Sequence, residues 1–278
     1  MKNIKIKVKC DDDLINYLSN NSDYSKNKIK SLIKYKKILV NNKVVSRLPY
    51  KVKMNDTISI NLEREVDIPF RIIYEDDEIL VADKKAGLLT IGSNSSDPNT
   101  LYRQVREYAN KKNFLVFIVN RLDKETSGIV MFAKSERVKM MYQNNWNELV
   151  TKRSYLALVE GKLTESGRIE NLLYEEPNTF VHSSKIGKKA ITNYSVIKYN
   201  DKYTLLDINI ETGRKNQIRV HMSELGYPIV GDKKYGSHID PVKRMCLHSY
   251  MLQIKHPITG NIMTFNSEVP KVFDKLLK

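Results

Sequence analysis

Short apolar runs joined by tight polar turns constrain the fold of this chain more than any other feature. The stretch "RIIYEDDEILVADKKAG", residues 71–87, sets two such runs around an acidic turn and ends at Gly87. "ILVNNKVV", residues 38–45, repeats the arrangement around Asn41-Asn42, a residue pair suited to a two-residue hairpin. Strands joined this closely lie antiparallel, because a parallel crossover needs a dozen or more residues. Helical spacing of apolar residues appears at 100–112 and 135–149, and strands alternate with helices from there to the C-terminus. Mixed strands and helices with several hairpins predict an α+β protein rather than a doubly wound one.

The 278 residues can hold one large domain, or a large one with a small one. "NLEREVDIP" at 61–69 reads as a joint, which predicts a small module over 1–64 and a larger domain over 65–278. A hydrophobic content of 41% supplies a real core, and the charged residues are spread along the chain, which argues against long disorder. The formal net charge is +15, and residues 1–60 contribute 14 Lys or Arg against 5 Asp or Glu. Excess positive charge at this level favours phosphate polyanions, with acidic membrane surfaces as the competing explanation.

The small module reads as a strand at 3–9, a short helix near 13–19, a second helix and a hairpin. Ser25 is placed to cap the second helix, whose Ile29, Leu32 and Ile33 recur on one face. Lys26, Lys28, Lys30, Lys34, Lys36 and Lys37 occupy much of the rest, and Lys43 follows in the hairpin. Taken alone, such a face is simply solvated. The capped "SKNKIKSLIK" helix running into "ILVNNKVV" resembles the small RNA-binding module first named in a small-subunit ribosomal protein, the S-four domain. That resemblance implies that these lysines grip RNA phosphates. Asp12-Asp13-Leu14 stands where that family opens its first helix with Arg-Leu-Asp.

Several functional classes lack support. No apolar run approaches the roughly 20 residues that span a bilayer. The N-terminal "MKNIKIKVKC" alternates Lys with Ile or Val, a strand pattern rather than the apolar core of a signal peptide, so a cytoplasmic protein with no membrane partner is expected. Cys10 and Cys246 are far apart and in no ligand spacing. The five histidines are scattered, with His221, His238 and His248 only moderately close, so no metal is expected. Neither a GxxxxGK[ST] nor a GxGxxG loop occurs, so no nucleotide cofactor is expected either.

Three stretches carry candidate chemistry. In "VNRLDKETSGIVMFAK", residues 119–134, a loop bearing Asp123 turns at Gly128 and enters the apolar strand Ile129–Phe132. Reactive groups often sit on loops held by a rigid strand. Asp123 is equally suited to cap a turn by accepting from the amides of Glu125 or Thr126. "KRSYLALVEG" at 152–161 reads as a strand with Tyr155 near its start, where a tyrosine commonly fills a core. "ETGRKNQIRVHMSELGYPIVGDKKYG" at 211–236 gathers Arg214, Lys215, Arg219 and His221 near the start of a helix over 216–225. The plainer reading of that stretch is a solvated basic face.

In this order and separation the three stretches resemble the RluA-type pseudouridine synthase family. Its H-R-L-D-x-x-T-S-G, Y-x-A and T-G-R-x-x-Q-[IL]-R-x-H signatures are met at 120–128, 155–157 and 212–221, and "GDKKYG" and "LHSYMLQIKHPITG" also match. The resemblance covers roughly residues 70–270. It implies the pseudouridine synthase fold, a mixed and largely antiparallel sheet flanked by helices and loops. By position it implies that Asp123 is the catalytic aspartate and Tyr155 the ring that stacks on the target uracil. Arg219 would pair with the aspartate, Ile218 would lie beside the base, and Arg121 would contact RNA where the flipped base has left. Asn120 replaces the usual His, and Lys215-Asn216 replace the commonest Thr-His, so no imidazole serves as acid or base at those positions.

The implied reaction detaches uracil from C1′, rotates it and rejoins it through C5. It is an isomerisation that needs no cofactor and no group donor. Asp123 is open to acting as nucleophile toward sugar or base, or as a base on the sugar. Extruding a stacked base costs a few kcal/mol, of which stacking on an aromatic ring returns ~1–3 kcal/mol. The expected partner is structured RNA, with large-subunit (23S) ribosomal RNA first on the domain arrangement and transfer RNA as the alternative, and the expected state is a monomer. The competing functions are a non-catalytic RNA-binding factor on the same scaffold and a glycoside or nucleoside hydrolase. The latter usually needs two carboxylates, and no equally well-placed second one stands near these motifs.

Overall fold

The computed structural model describes residues 4–34, 37–60, 68–92, 97 and 99–277. Lys36 and most of the joint read at 61–69 lie outside them. The chain divides into two compact units, Met1–Asp67 and Ile68–Lys278.

The first unit runs β1 (Ile4–Lys7), β2 (Asp12–Asp13), α1 (Leu14–Asn21), α2 (Lys26–Lys34), β3 (Ile38–Val40), β4 (Lys43–Val44), β5 (Lys51–Val52) and β6 (Thr57–Ile60). Both helices begin at a side-chain cap. Asp13 Oδ1 accepts from Ile15 N at 2.9 Å, and Ser25 Oγ accepts from Lys28 N at 3.3 Å. Asn41 and Asn42 take φ of 48° and 64°, the two left-handed residues that a tight β3–β4 turn requires. The sheet order β1-β6-β3-β4 is antiparallel throughout. Leu14, Leu18, Ile29, Ile38, Ile58 and Ile60 are sealed between helices and sheet. The first strand is shorter than the predicted 3–9, because Val8 leaves β6 to exchange hydrogen bonds with the Asn55-Asp56 turn. Lys26, Lys28, Lys30, Lys34 and Lys43 are exposed and Lys37 is half-buried.

The second unit begins with β7 (Arg71–Glu75), β8 (Ile79–Lys84), α3 (Leu101–Lys112), β9 (Phe117–Ile118) and β10 (Ser127–Ala133). Next come α4 (Glu136–Asn144), α5 (Trp146–Leu149), β11 (Val150–Glu160), β12 (Gly167–Glu175), β13 (Val181–Ser183), β14 (Lys188–Tyr199) and β15 (Tyr203–Ile210). It closes with α6 (Gln217–Glu224), β16 (Leu247–Lys255), β17 (Ile262–Asn266) and α7 (Val272–Lys275). One sheet runs β13-β12-β14-β15-β11-β16-β10-β8-β7, with β17 on β16 and β9 on β10. Among the described strands every pairing is antiparallel except β10 with β16. This is the mixed, largely antiparallel α+β sheet that the motifs imply.

The β7–β8 turn is closed by Asp76, whose Oδ1 accepts from both Glu78 N and Ile79 N at 2.8 Å. All seven residues of β10 are buried, as its unbroken apolar run requires. Val138 and Tyr142 of α4 pack onto Ile129 and Met131 from that strand. The helix predicted over 135–149 is two helices. Asn145 leaves helical geometry (φ −123°, ψ 35°), and its side chain donates to Met141 O, the local competition by which asparagine ends helices. No helix among the described residues is long and apolar enough to cross a membrane.

Candidate active site

Asp123 lies on the loop between β9 and β10, which is pinned from below. Thr90 Oγ1 donates to Leu122 O at 2.8 Å and accepts from Leu122 N at 3.1 Å. Lys84 is buried and its Nζ donates to the carbonyls of Lys85, Leu88 and Lys124 at 3.1, 2.6 and 2.9 Å. Burial pulls the Lys84 ammonium down to about 8, against the opposing pull of Glu125 and Asp123. The loop then enters β10 through Gly128, at φ 111°, where a Cβ would sit 2.1 Å from Ser249 O. Only glycine admits this approach to β16. The turn after Asp123 is closed by its backbone carbonyl, which accepts from Thr126 N at 3.2 Å. Its carboxylate instead accepts from Arg219 Nη1 at 3.2 Å.

Arg219 is delivered by α6. The loop ahead of that helix is held by Gln217, whose Oε1 accepts from Thr212 Oγ1 and Arg214 N at 2.8 and 3.0 Å. Its Nε2 donates to Ile191 O and Thr192 Oγ1, both at 2.9 Å. A buried amide with both ends satisfied orients the loop rigidly. Arg219 Nε and Nη2 donate to Asp232 at 2.7 and 2.8 Å, and Nη1 also donates to Asn216 Oδ1 at 2.8 Å. Burial pulls this guanidinium down, but hydrogen bonding and charge from Asp232, with a smaller share from Asp123, raise it above its ordinary value. Asn216 stands at φ 53° and also donates to Tyr235 Oη at 3.0 Å. The residue in the place of the family's histidine therefore braces the arginine.

Tyr155 sits on β11 opposite Ile208 of β15, buried, with its hydroxyl pushed up by burial against Arg153 and Ser249. Tyr155, Ile218, Asp123, Arg219 and Arg121 line a single cleft of about 1230 Å³. That exceeds the ~300–1,000 Å³ of a pocket for one small molecule. Arg121 is exposed at its rim. Asn120 also lines the cleft, but its Oδ1 accepts from Met131 N at 2.8 Å and ties the loop to β10.

The basic stretch around α6 is not a uniform solvated face. His221 is buried, with Nδ1 and Nε2 each 2.9 Å from Thr192 Oγ1 and Asn171 Oδ1. Burial holds it neutral by pulling it down to about 4. It is no cation of the cleft. Lys215 pairs with Glu175. Asp232 and Lys84 escaped the sequence reading. The signal for Asp232 was present in "GDKKYG", which matched the family without a stated role; nothing near Lys84 in sequence marks it as buried. Asp232 does not line the cleft, so it is not the second carboxylate of a hydrolase. Among the described residues no group of side chains is arranged to hold a metal.

A family model described as RNA pseudouridylate synthase matches residues 78–224. The chain belongs to that family. This synthase is 31% identical over 281 residues to the ribosomal large subunit pseudouridine synthase D of Escherichia coli K12, covering 92% of this chain and 86% of the relative. It is also 31% identical to the protein of that name from Vibrio cholerae, covering 90% and 85%. In fold, the synthase is similar to human RNA pseudouridylate synthase domain containing 1, with a TM-score of 0.62 and 22% identity over 74% of this chain and 86% of that one. Human RNA pseudouridylate synthase domain containing 4 gives 0.58 and 21%, over 73% and 90%.

Proposed function

We propose that this synthase converts uridine to pseudouridine in large-subunit ribosomal RNA, with Asp123 as the reacting carboxylate. The observation that carries the assignment is the convergence of Asp123, Arg219, Tyr155 and Ile218 on one cleft. The Asp123 carboxylate, 30% exposed, faces the cleft with one oxygen on Arg219. The ion pair with Arg219 orients the carboxylate that would attack the sugar or base or take a sugar proton. Tyr155 offers a ring for the extruded uracil, and Ile218 closes the apolar side of the base. Arg121, exposed at the rim, meets the RNA from which the base departs. The relatives' name supports ribosomal RNA over transfer RNA.

The first 64 residues serve in this reading as an S-four-type module that grips RNA through Lys26, Lys28, Lys30, Lys34, Lys36, Lys37 and Lys43, and residues 65–278 as the catalytic domain. The protein works as a cytoplasmic monomer. Site-resolved pseudouridine mapping of large-subunit ribosomal RNA, from an unmodified transcript incubated with the protein, tests the activity. New pseudouridine is expected with the wild type and none with Asp123→Asn, at RNA affinity within a few-fold of wild type. Full turnover by Asp123→Asn would refute the role of that carboxylate.

A further inference from the structure

The cleft holds a second arginine that lacks what Arg219 has. Arg153 precedes Tyr155 by two residues on β11, so both side chains reach the cleft while Ser154 turns away to Asn209. Its guanidinium lies over the Trp146 ring, 5.6 Å from the centroid, and Nη2 donates to Glu211 O at 2.6 Å. Gly213 also abuts it: a Cβ there would come within 2.7 Å of Nη1. The glycine therefore leaves room for the arginine. Among the described residues no carboxylate pairs with Arg153, and Nη1 and Nε have no hydrogen-bond partner. The Glu211 carboxylate is turned to Arg168 and Asn193. Arg214, also in the cleft, is near enough to Arg153 to repel its charge, and among the described residues it forms no ion pair either. Its Nε is spent on Lys189 O at 2.8 Å.

Two neighbouring cations, Arg153 half-buried and Arg214 exposed, with no acid between them repel each other and favour a ligand that brings negative charge. We propose that Arg153 and Arg214 clamp a backbone phosphate of the RNA strand beside the extruded nucleotide, with Trp146 and Gly213 holding the Arg153 guanidinium in position. A guanidinium presents paired donors in the geometry of a phosphodiester. The clamp rests on the reading of this cleft as the site where RNA enters. It adds the contact that sets the strand's register.

Binding of the full-length protein to a large-subunit ribosomal RNA stem-loop, measured across a salt series, tests the clamp. Arg153→Gln is expected to weaken binding about tenfold and to lower the slope of log affinity against log salt by ~0.7, the loss of one single-stranded phosphate contact. Arg153→Lys, which keeps the charge, should keep the slope, and Lys162→Gln, remote from the cleft, should change neither. A second measurement uses stem-loops carrying one uncharged methylphosphonate beside the target uridine. At one position Arg153→Gln and wild type should bind equally. An unchanged slope in Arg153→Gln, or a methylphosphonate penalty that is the same in both proteins at every position, overturns the clamp. Pseudouridine formation by the wild type, scored in the same samples, reports separately on the function proposed above.

Discussion

Arg219 grips Asp232 with two nitrogens, at 2.7 and 2.8 Å, and reaches Asp123 with only one, at 3.2 Å. The tighter pair is buried behind the cleft and the looser one faces it. Asp232 thus fixes the plane of the guanidinium, and among the described residues the proposed reacting carboxylate keeps one oxygen without a partner.

Replacing Asp232 by Asn is expected to remove the counter-charge of a buried arginine and to cost about 3 kcal/mol of stability. The freed guanidinium should then turn toward Asp123 and occupy both of its oxygens. Turnover should fall with little change in RNA affinity, because Asp232 does not line the cleft. Single-turnover rates and binding constants on the same RNA separate these effects. A variant with wild-type turnover would show that the two-pronged pair has no positioning role.

Gly128 admits the β10 backbone to within van der Waals range of Ser249. Gly128→Ala would bring a methyl group to 2.1 Å from the Ser249 carbonyl at φ 111°. Clash and backbone strain together should cost about 3 kcal/mol. The fluorescence of Trp146, the single tryptophan of the chain, reports unfolding of the larger unit in urea. An unshifted midpoint would contradict the geometry.

Two buried histidines tie stability to pH. Burial pulls both His221 and His248 down to about 4, the latter helped by Arg244. Between that value and their ordinary value of 6.5, the unfolded chain binds more protons than the folded one. Stability is therefore complete above 6.5 and is lost as pH falls toward 4. Each histidine should account for about 1.5 kcal/mol between pH 6.5 and 5, above the range where most carboxylates titrate. Urea midpoints at the two pH values measure the loss, and His221→Asn should halve it. Equal losses in both proteins would mean that His221 is not the titrating group.

Much of this protein was legible in the order of its residues. The hairpins at Asn41-Asn42 and Asp76, the cap at Ser25, and the loop that turns at Gly128 are local events. Turn chemistry and side-chain period decide such events within a few residues. The motifs likewise marked Asp123, Tyr155, Ile218, Arg219 and Arg121, and all five line one cleft.

What the order of residues left open were the choices between partners. Asp123 was equally suited to capping its own turn. The sheet decided otherwise by bringing Arg219 to it across 96 positions of sequence. His221 reads as a cation beside Arg219 and Lys215, yet α6 turns it into β12 and β14, where burial keeps it neutral. The same folding places Asp232 behind Arg219 and, among the described residues, leaves Arg153 without an acid. Periodicity determines which face of an element a residue occupies. Whether a charge on that face meets its opposite, a like charge or nothing depends on which strands and helices become neighbours, and only the assembled sheet sets that.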